Sequence, residues 1–324
     1  MAIGAPDTRP LLTFAPAARI GRAMASIDRT QPTPEELVAK LCFLLELEER
    51  GPDHFLGRQQ PEGTGRVFGG QAIAQALGAA RRTVPIERHT HSLHAYFLRP
   101  GTDDLPIEYR VKRDLDGRSF SNRRVVASQA GEPILNLVAS FQKPQEGFMH
   151  QAVEMPDIPA PEKLRPDAEA LADLAPHLKS ETARQLALRP RPIDMRSVEP
   201  RQWINPEKMP ARAHTWFRTV APLPDHPPVH RAVLAYLSDF QMLSTAVRPH
   251  GLGIFDGTLR AASLDHALWF HSDFRADEWL LFTTESPWAG LARGYVRGQI
   301  FTRDGRLVAS VTQEGMLREI KRET

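Results

Sequence analysis

The run Leu137-Val-Ala-Ser140-Phe-Gln returns about 170 residues later as Leu307-Val-Ala-Ser310-Val-Thr-Gln. Ser92-Leu-His-Ala returns at nearly the same distance as Ser263-Leu-Asp-His-Ala, with one residue inserted. In each half the matched runs follow a helical stretch, so the chain reads as two copies of one α+β unit. Its length agrees, because 324 residues exceed one average domain and suit two core-forming units better than one.

Each copy has the same coarse grammar. A helix is predicted over 34–47, opened by Pro34 with Glu35 and Glu36 in the first turn, where the helix dipole favours acids. A short strand at 55–58 follows, then an alanine-rich helix from Gly69, whose small residues imply close contact with a sheet. Alternating strands are predicted over 91–98, 105–113, 120–129 and 134–142, divided by Asp116-Gly117 and Gly131-Glu132 turns. The second copy offers strands at 193–198 and 214–220, a helix over 230–247, and strands at 262–270, 279–286, 294–302 and 307–317. The expected division is a poorly ordered extension 1–33, a first unit 34–146, a linker with its own helix 147–192, and a second unit 193–320.

Several function classes are excluded or disfavoured by composition. A net charge of +2 is too small for a general nucleic-acid binder. The single cysteine, Cys42, rules out an intrachain disulfide and a multi-cysteine metal site, and its apolar surroundings read as packing. No apolar run reaches the ~20 residues a membrane-spanning helix needs, and neither a signal-peptide pattern nor a carboxyl-terminal targeting tripeptide is present, so a cytoplasmic protein is expected. His89, His91 and His94 do not make a metal site, because a strand turns His94 away from the other two. Gly63, Gly65, Gly69 and Gly70 do not make a dinucleotide loop, since Phe68 stands where the third glycine of G-x-G-x-x-G belongs. Gly69 and Gly70 read instead as a tight helix entrance whose N–H groups face a ligand oxygen.

Chemistry concentrates in the second copy. Asp239 sits on the helix predicted over 230–247 and shares a face with Ala235, Tyr236, Met242 and Leu243, so its carboxylate must be hydrogen-bonded, paired or used. Ser263 and Gln313 lie on strands that this helix can cross, and the three polar groups can meet at one point. A carboxylate, a hydroxyl and an amide together hold a water, with Asp239 as general base and the others orienting it. A thioester suits such a trio, because a departing thiol needs no strong general acid. Ser263, Asp265 and His266 are not a serine-hydrolase triad: alternation along one strand points Ser263 and His266 apart, and no G-x-S-x-G elbow exists.

The runs GRVFGGQAIAQAL, HSLHAYFLRPG, SFSNRRVVASQ, YLSDFQML, SLDHALWFH, ARGYVRGQ and LVASVTQEG resemble the acyl-CoA thioesterase II (TesB-like) family, in the family's order from about Gln59 to Arg318. The resemblance implies an α+β double hotdog fold, each half an antiparallel sheet wrapped round one long helix. It also implies hydrolysis of acyl-CoA to free acid and CoA without metal or other cofactor. By motif, the family's catalytic acid falls on Asp239, its Thr or Ser on Ser263 and its Gln on Gln313. In the first copy Gln75 takes roughly the helical place of Asp239, which leaves that copy structural or ligand-shaping. Trp288 is bulkier than the small residue expected there and implies an altered acyl range.

Four arginines, Arg123, Arg124, Arg293 and Arg297, are the candidates for meeting CoA phosphates, and Gly69 or Gly70 for meeting the thioester oxygen. Two rivals stay open at this level: hydration or dehydration of an acyl-CoA on the same fold, and a non-catalytic acyl-CoA binding module. Exposed sheet edges favour a homo-oligomer, a dimer or tetramer.

Overall fold

The computed structural model describes residues 31–60, 65–178, 181–199, 201, 206–252 and 258–320. The amino-terminal extension falls almost wholly outside them, as does the carboxyl-terminal tetrapeptide. α1 (Pro34–Leu45) begins at a capping box, in which the Thr33 hydroxyl accepts from the Glu36 N–H and the Glu36 carboxylate accepts from the Thr33 N–H. Its inner face carries Cys42, buried, with the thiol pushed up to about 11 mainly by burial.

Strands β1 (Leu47–Gly51) and β2 (His54–Gly57) form a hairpin before α2 (Gly69–Arg81). Every residue of α2 from Gly70 to Arg81 is buried, and five of them are alanines. A helix enclosed on all sides needs small side chains where backbones approach, which is what the alanine spacing signalled. β3 (His89–Phe97), β4 (Ile107–Asp116), β5 (Phe120–Gln129) and β6 (Glu132–Gln142) complete the first sheet half. Two short helices, α3 (Asp167–Leu174) and α4 (Glu181–Leu188), lie in the connecting stretch.

The second half runs β7 (Ile193–Ser197), β8 (Arg212–Thr219), α5 (Pro227–Leu237), α6 (Met242–Val247), then β9 (Leu259–Ser263), β10 (Asp265–Phe270), β11 (Leu280–Gly290), β12 (Arg293–Thr302) and β13 (Leu307–Glu319). The strands form one antiparallel sheet in the order β1-β2-β4-β5-β6-β3-β10-β13-β12-β11-β8-β7, with β9 paired to β13. The two halves meet edge to edge where β3 pairs β10, His94 opposite Ala267. α2 and α5 lie against each other, and the Phe68 and Tyr236 rings touch edge to face at 5.1 Å. Two antiparallel half-sheets, each curled over its own helix and joined through central strands, make a double hotdog.

Two local departures from the sequence reading shape the site. The helix predicted over 230–247 is two helices: α5 stops at Leu237, Asp239 sits in a turn, and Gln241 takes a left-handed conformation (φ 70°) before α6 starts. Asp239 is thus a turn residue beyond the helix, with Ser238 as its C-cap. The strand predicted over 262–270 is also two. Leu264 leaves the regular ladder, donating its N–H to the Glu314 carbonyl and accepting from the Phe97 N–H, both at 2.9 Å. Ser263 pairs with Gly315 but Ala267 pairs with Thr312, so one extra residue bulges out of this strand.

Candidate active site

The bulge decides which side chains converge. A regular strand would send Ser263 and His266 to opposite faces; one added residue resets the alternation, and both reach the side chain of Gln313. Gln313, almost fully buried on β13, donates from Nε2 to the Ser263 hydroxyl at 2.7 Å and to Asp239 Oδ1 at 3.1 Å. Its Oε1 lies 3.0 Å from Nδ1 of His266. Nε2 of His266 lies 2.9 Å from the Ser238 hydroxyl, which also lies 3.0 Å from the Ala235 carbonyl. His266 and Ser238 have no exposed surface, whereas Asp239 and Ser263 are half-buried. The amide and imidazole therefore form the closed floor of the cluster, and the carboxylate and hydroxyl form its accessible edge.

Electrostatics follow from that burial. Desolvation pushes the Asp239 carboxyl up from its ordinary 3.8 to about 7, opposed by the Gln313 amide and by the Gly70 backbone N–H, both of which donate to the charged form. The same desolvation holds the His266 ring down at about 4, so it is neutral at neutral pH. Gly70 stands in the first turn of α2, where backbone N–H groups are free of intrahelical partners and the dipole favours a negative charge. α2 therefore points its amino end at the acid that α5 delivers. Gly69 is part of the same approach: a β-carbon there would lie 2.6 Å from Asp239 Oδ2 and 2.9 Å from the Phe97 ring. At Gly70 a β-carbon would lie 2.3 Å from the Tyr236 carbonyl oxygen. Only side-chain-free residues admit this contact between the two helix ends.

Among the expected residues, Asp239, Ser263, Gln313, Gly69 and Gly70 come together. The role expected of Gly70 changes, because its N–H is given to Asp239 and is not free for a ligand oxygen. The four arginines do not come together. Arg123 has no exposed surface; its guanidinium bonds Asp116 at 2.6 Å, the Thr83 hydroxyl and carbonyl, and the Leu115 and Asn122 carbonyls. It is a clamp between α2's end and the β4–β5 hairpin, and it cannot reach a phosphate from there. Arg124, Arg293 and Arg297 are exposed and paired with Asp114, Glu314 and Glu285. Trp288, partly exposed beside the β11–β12 turn, carries the Arg293 guanidinium 5.6 Å from its ring centre.

Gln75 proves structural. Its amide donates to the Leu44 carbonyl at 2.6 Å and the Arg58 carbonyl at 3.0 Å, and accepts from the Tyr109 hydroxyl at 2.8 Å, with no exposed surface. His91 meets the Ser140 hydroxyl at 2.8 Å, and the His94 ring packs edge-on against Trp269, so each has a local partner. Sequence reasoning missed His266 and Ser238. The signal was present in the adjacency of Ser238 to Asp239 and of His266 to Ser263, but the assumption of an unbroken strand turned His266 away.

Fold and cluster together define a hotdog protein with a desolvated acid at the junction of its two central helices. The sequence profile of the acyl-CoA thioesterase family matches residues 184–316, and that of the acyl-CoA thioesterase N-terminal domain matches residues 58–142. Acyl-CoA thioesterase 2 of Haemophilus influenzae is 38% identical over 283 residues, covering 87% of this chain and 98% of that protein. Human acyl-coenzyme A thioesterase 8 is 38% identical over 298 residues, 90% of this chain and 92% of that protein. The crystal structure of an acyl-CoA thioesterase II, TesB2, from Mycobacterium marinum superposes with a TM-score of 0.71 at 38% identity, covering 88% of this chain and 99% of that one. A hotdog-fold protein of Alicyclobacillus acidocaldarius shares the fold at 19% identity, with a TM-score of 0.65 over 86% of this chain and 98% of that one. The chain belongs to the acyl-CoA thioesterase family.

Proposed function

We propose that the protein hydrolyses the thioester of fatty acyl-CoA to free acid and CoA, with Asp239 as general base. The observation that carries this reading is the convergence on Gln313 of an acid whose carboxyl is raised to about 7 and a half-exposed hydroxyl. A base with that pKa is half-ionised near neutrality, where it can both be present as carboxylate and take a proton with useful driving force. A water at the open edge of Asp239 and Ser263 gives its proton to Asp239. The resulting hydroxide attacks the thioester carbon, and the carbon–sulfur bond breaks as the tetrahedral intermediate collapses. CoA departs as thiolate, which at its ordinary pKa near 8.5 needs little protonation to leave.

Ser263 orients the water directly and Gln313 does so through its bonds to Ser263 and Asp239, and the Gly69 N–H, in the first turn of α2, faces the thioester oxygen. Arg124, Arg293 and Arg297 are the exposed cations available for CoA phosphates, each exchanging a surface carboxylate for a phosphate. The reading retains the cytoplasmic location and the dimer or tetramer expected from sequence. Among the described residues no helix is long and apolar enough to cross a membrane.

Release of thiol from a series of acyl-CoA substrates tests the reading. Wild-type protein should liberate CoA, and Asp239→Ala should lose at least about tenfold in kcat while unfolding as cooperatively as wild type, since a positioned base contributes roughly 10²–10⁴-fold. Binding of acyl-CoA without thiol release would favour the binding-module rival, and near-normal turnover in Asp239→Ala would overturn the base assignment.

A further inference from the structure

The buried floor of the cluster contains a histidine and a serine that touch neither the open edge nor the outside. A fully enclosed imidazole is an expensive core residue unless its two nitrogens are satisfied and its place is needed. Here both nitrogens have partners: Nδ1 faces the Gln313 Oε1 at 3.0 Å, and Nε2 faces the Ser238 Oγ at 2.9 Å. Ser238 is covalently next to Asp239, and Asp239 is bonded to Gln313. The contacts therefore close a ring, from Gln313 through His266 and Ser238 to Asp239 and back to Gln313.

We propose that His266 is a positioning residue for the proposed hydrolysis: its Nδ1–H, donated to Gln313 Oε1, holds the amide in the orientation that turns Nε2 toward Asp239 and Ser263 together. Directionality with Asp239 ionised supports this reading. While Asp239 is ionised, a side-chain amide turned the other way would set Oε1 against Asp239 Oδ1, an acceptor against an acceptor. Oε1 carries no hydrogen, so the hydrogen between it and the imidazole belongs to Nδ1. A neutral ring then has a bare Nε2, which takes the single Ser238 hydroxyl hydrogen in place of the Ala235 carbonyl 3.0 Å away. His266 itself hydrogen-bonds Gln313 and Ser238 and neither Asp239 nor Ser263, so it acts on the pair through Gln313. Ser238 extends the hold to the backbone turn that presents Asp239, tying the end of α5 to β10 and β13.

The inference rests on the base assignment above for its kinetic meaning, but its geometry can be read without turnover. In the wild-type chain labelled with ¹⁵N, a long-range ¹H–¹⁵N correlation spectrum, with the His266 signals identified by their loss in His266→Asn, should show a neutral ring protonated at Nδ1 from pH 6 to 8. A ring protonated at Nε2 or at both nitrogens in that range would overturn the proposal.

In kinetics, His266→Leu should lower kcat at least about tenfold with KM within about twofold. It should also move the acid limb of the kcat profile to higher pH, because an amide free to turn no longer holds the Asp239 carboxyl down. His266→Asn, whose side-chain N–H reaches the place of Nδ1, should recover most of kcat and return the limb. A cooperatively folded His266→Leu with wild-type kcat and an unmoved limb would overturn the proposal; if that variant does not fold, the tautomer in the wild-type chain decides. Full activity in Asp239→Ala would overturn the base assignment alone and leave the Nδ1–H tautomer standing, so the two failures are told apart.

Discussion

Replacing Asp239 with asparagine separates what the carboxylate does for chemistry from what it does to stability. The folded chain raises this carboxyl from 3.8 to about 7, chiefly by desolvation. A group whose folded pKa lies above its unfolded value contributes stability that is fully present below the unfolded value and is lost as pH rises through the folded one. The window is therefore pH 3.8 to about 7, and at ~1.36 kcal/mol for each pH unit the whole of it amounts to about 4 kcal/mol. Asp239 keeps a partly exposed edge, so solvent screening reduces the expectation to about 2–3 kcal/mol.

Asparagine is uncharged at every pH and still accepts through Oδ1 from Gln313, so it escapes this loss. Urea unfolding of both proteins at pH 5 and pH 8 measures the difference with packing effects cancelled, because these are the same at both pH values. Asp239→Asn should gain about 1–2 kcal/mol relative to wild type on going from pH 5 to pH 8, since pH 5 already lies inside the window, while kcat at pH 8 falls roughly 100-fold. A stability difference that does not change with pH would refute the desolvated-acid reasoning, whatever happened to the rate.

Gly69→Ala should lower kcat about ten- to a hundredfold and destabilise by about 1–3 kcal/mol through the overpacked contact. Its β-carbon would stand 2.6 Å from Asp239 Oδ2 and push the carboxylate aside, and steady-state kinetics beside a melting curve check both halves of that statement. Arg123→Ala should destabilise by about 3 kcal/mol in urea unfolding and leave KM for acyl-CoA unchanged in the folded fraction, because it strips partners from buried carbonyls and a hydroxyl. A raised KM with unaltered stability would return Arg123 to the CoA site.

Most strands were legible because they alternate or end on a turn signal, and the spans predicted at 120–129 and 134–142 differ little from β5 and β6; β1 was missed, because LEERG carries no alternation and its Leu47 extends the helical pattern. α2 was legible because alanines at helical spacing have few other uses. The second helix was overextended, since apolar periodicity continues across Ser238–Gln241 and nothing local announces a left-handed Gln241. Arginine is ambiguous in the same way. Arg123 and its neighbour Arg124 are identical as letters, but one strand alternation sends Arg123 into the core beside Thr83 and Asp116 and Arg124 to the surface.

Residue types and their spacing alone determined that two α+β units would form, that central helices would be buried, and that an acid, a hydroxyl and an amide belonged to the second unit. These are properties of local periodicity and of side-chain chemistry, which travel with the letters. Which of those groups touch was decided in three dimensions by three features: the turn that ends α5 at Leu237, the extra residue that realigns Ser263 with His266, and the glycine pair that lets α2 point Gly70 N–H at Asp239. Each joins segments far apart in the chain, and a desolvated carboxylate at about 7 exists only where such segments together exclude water.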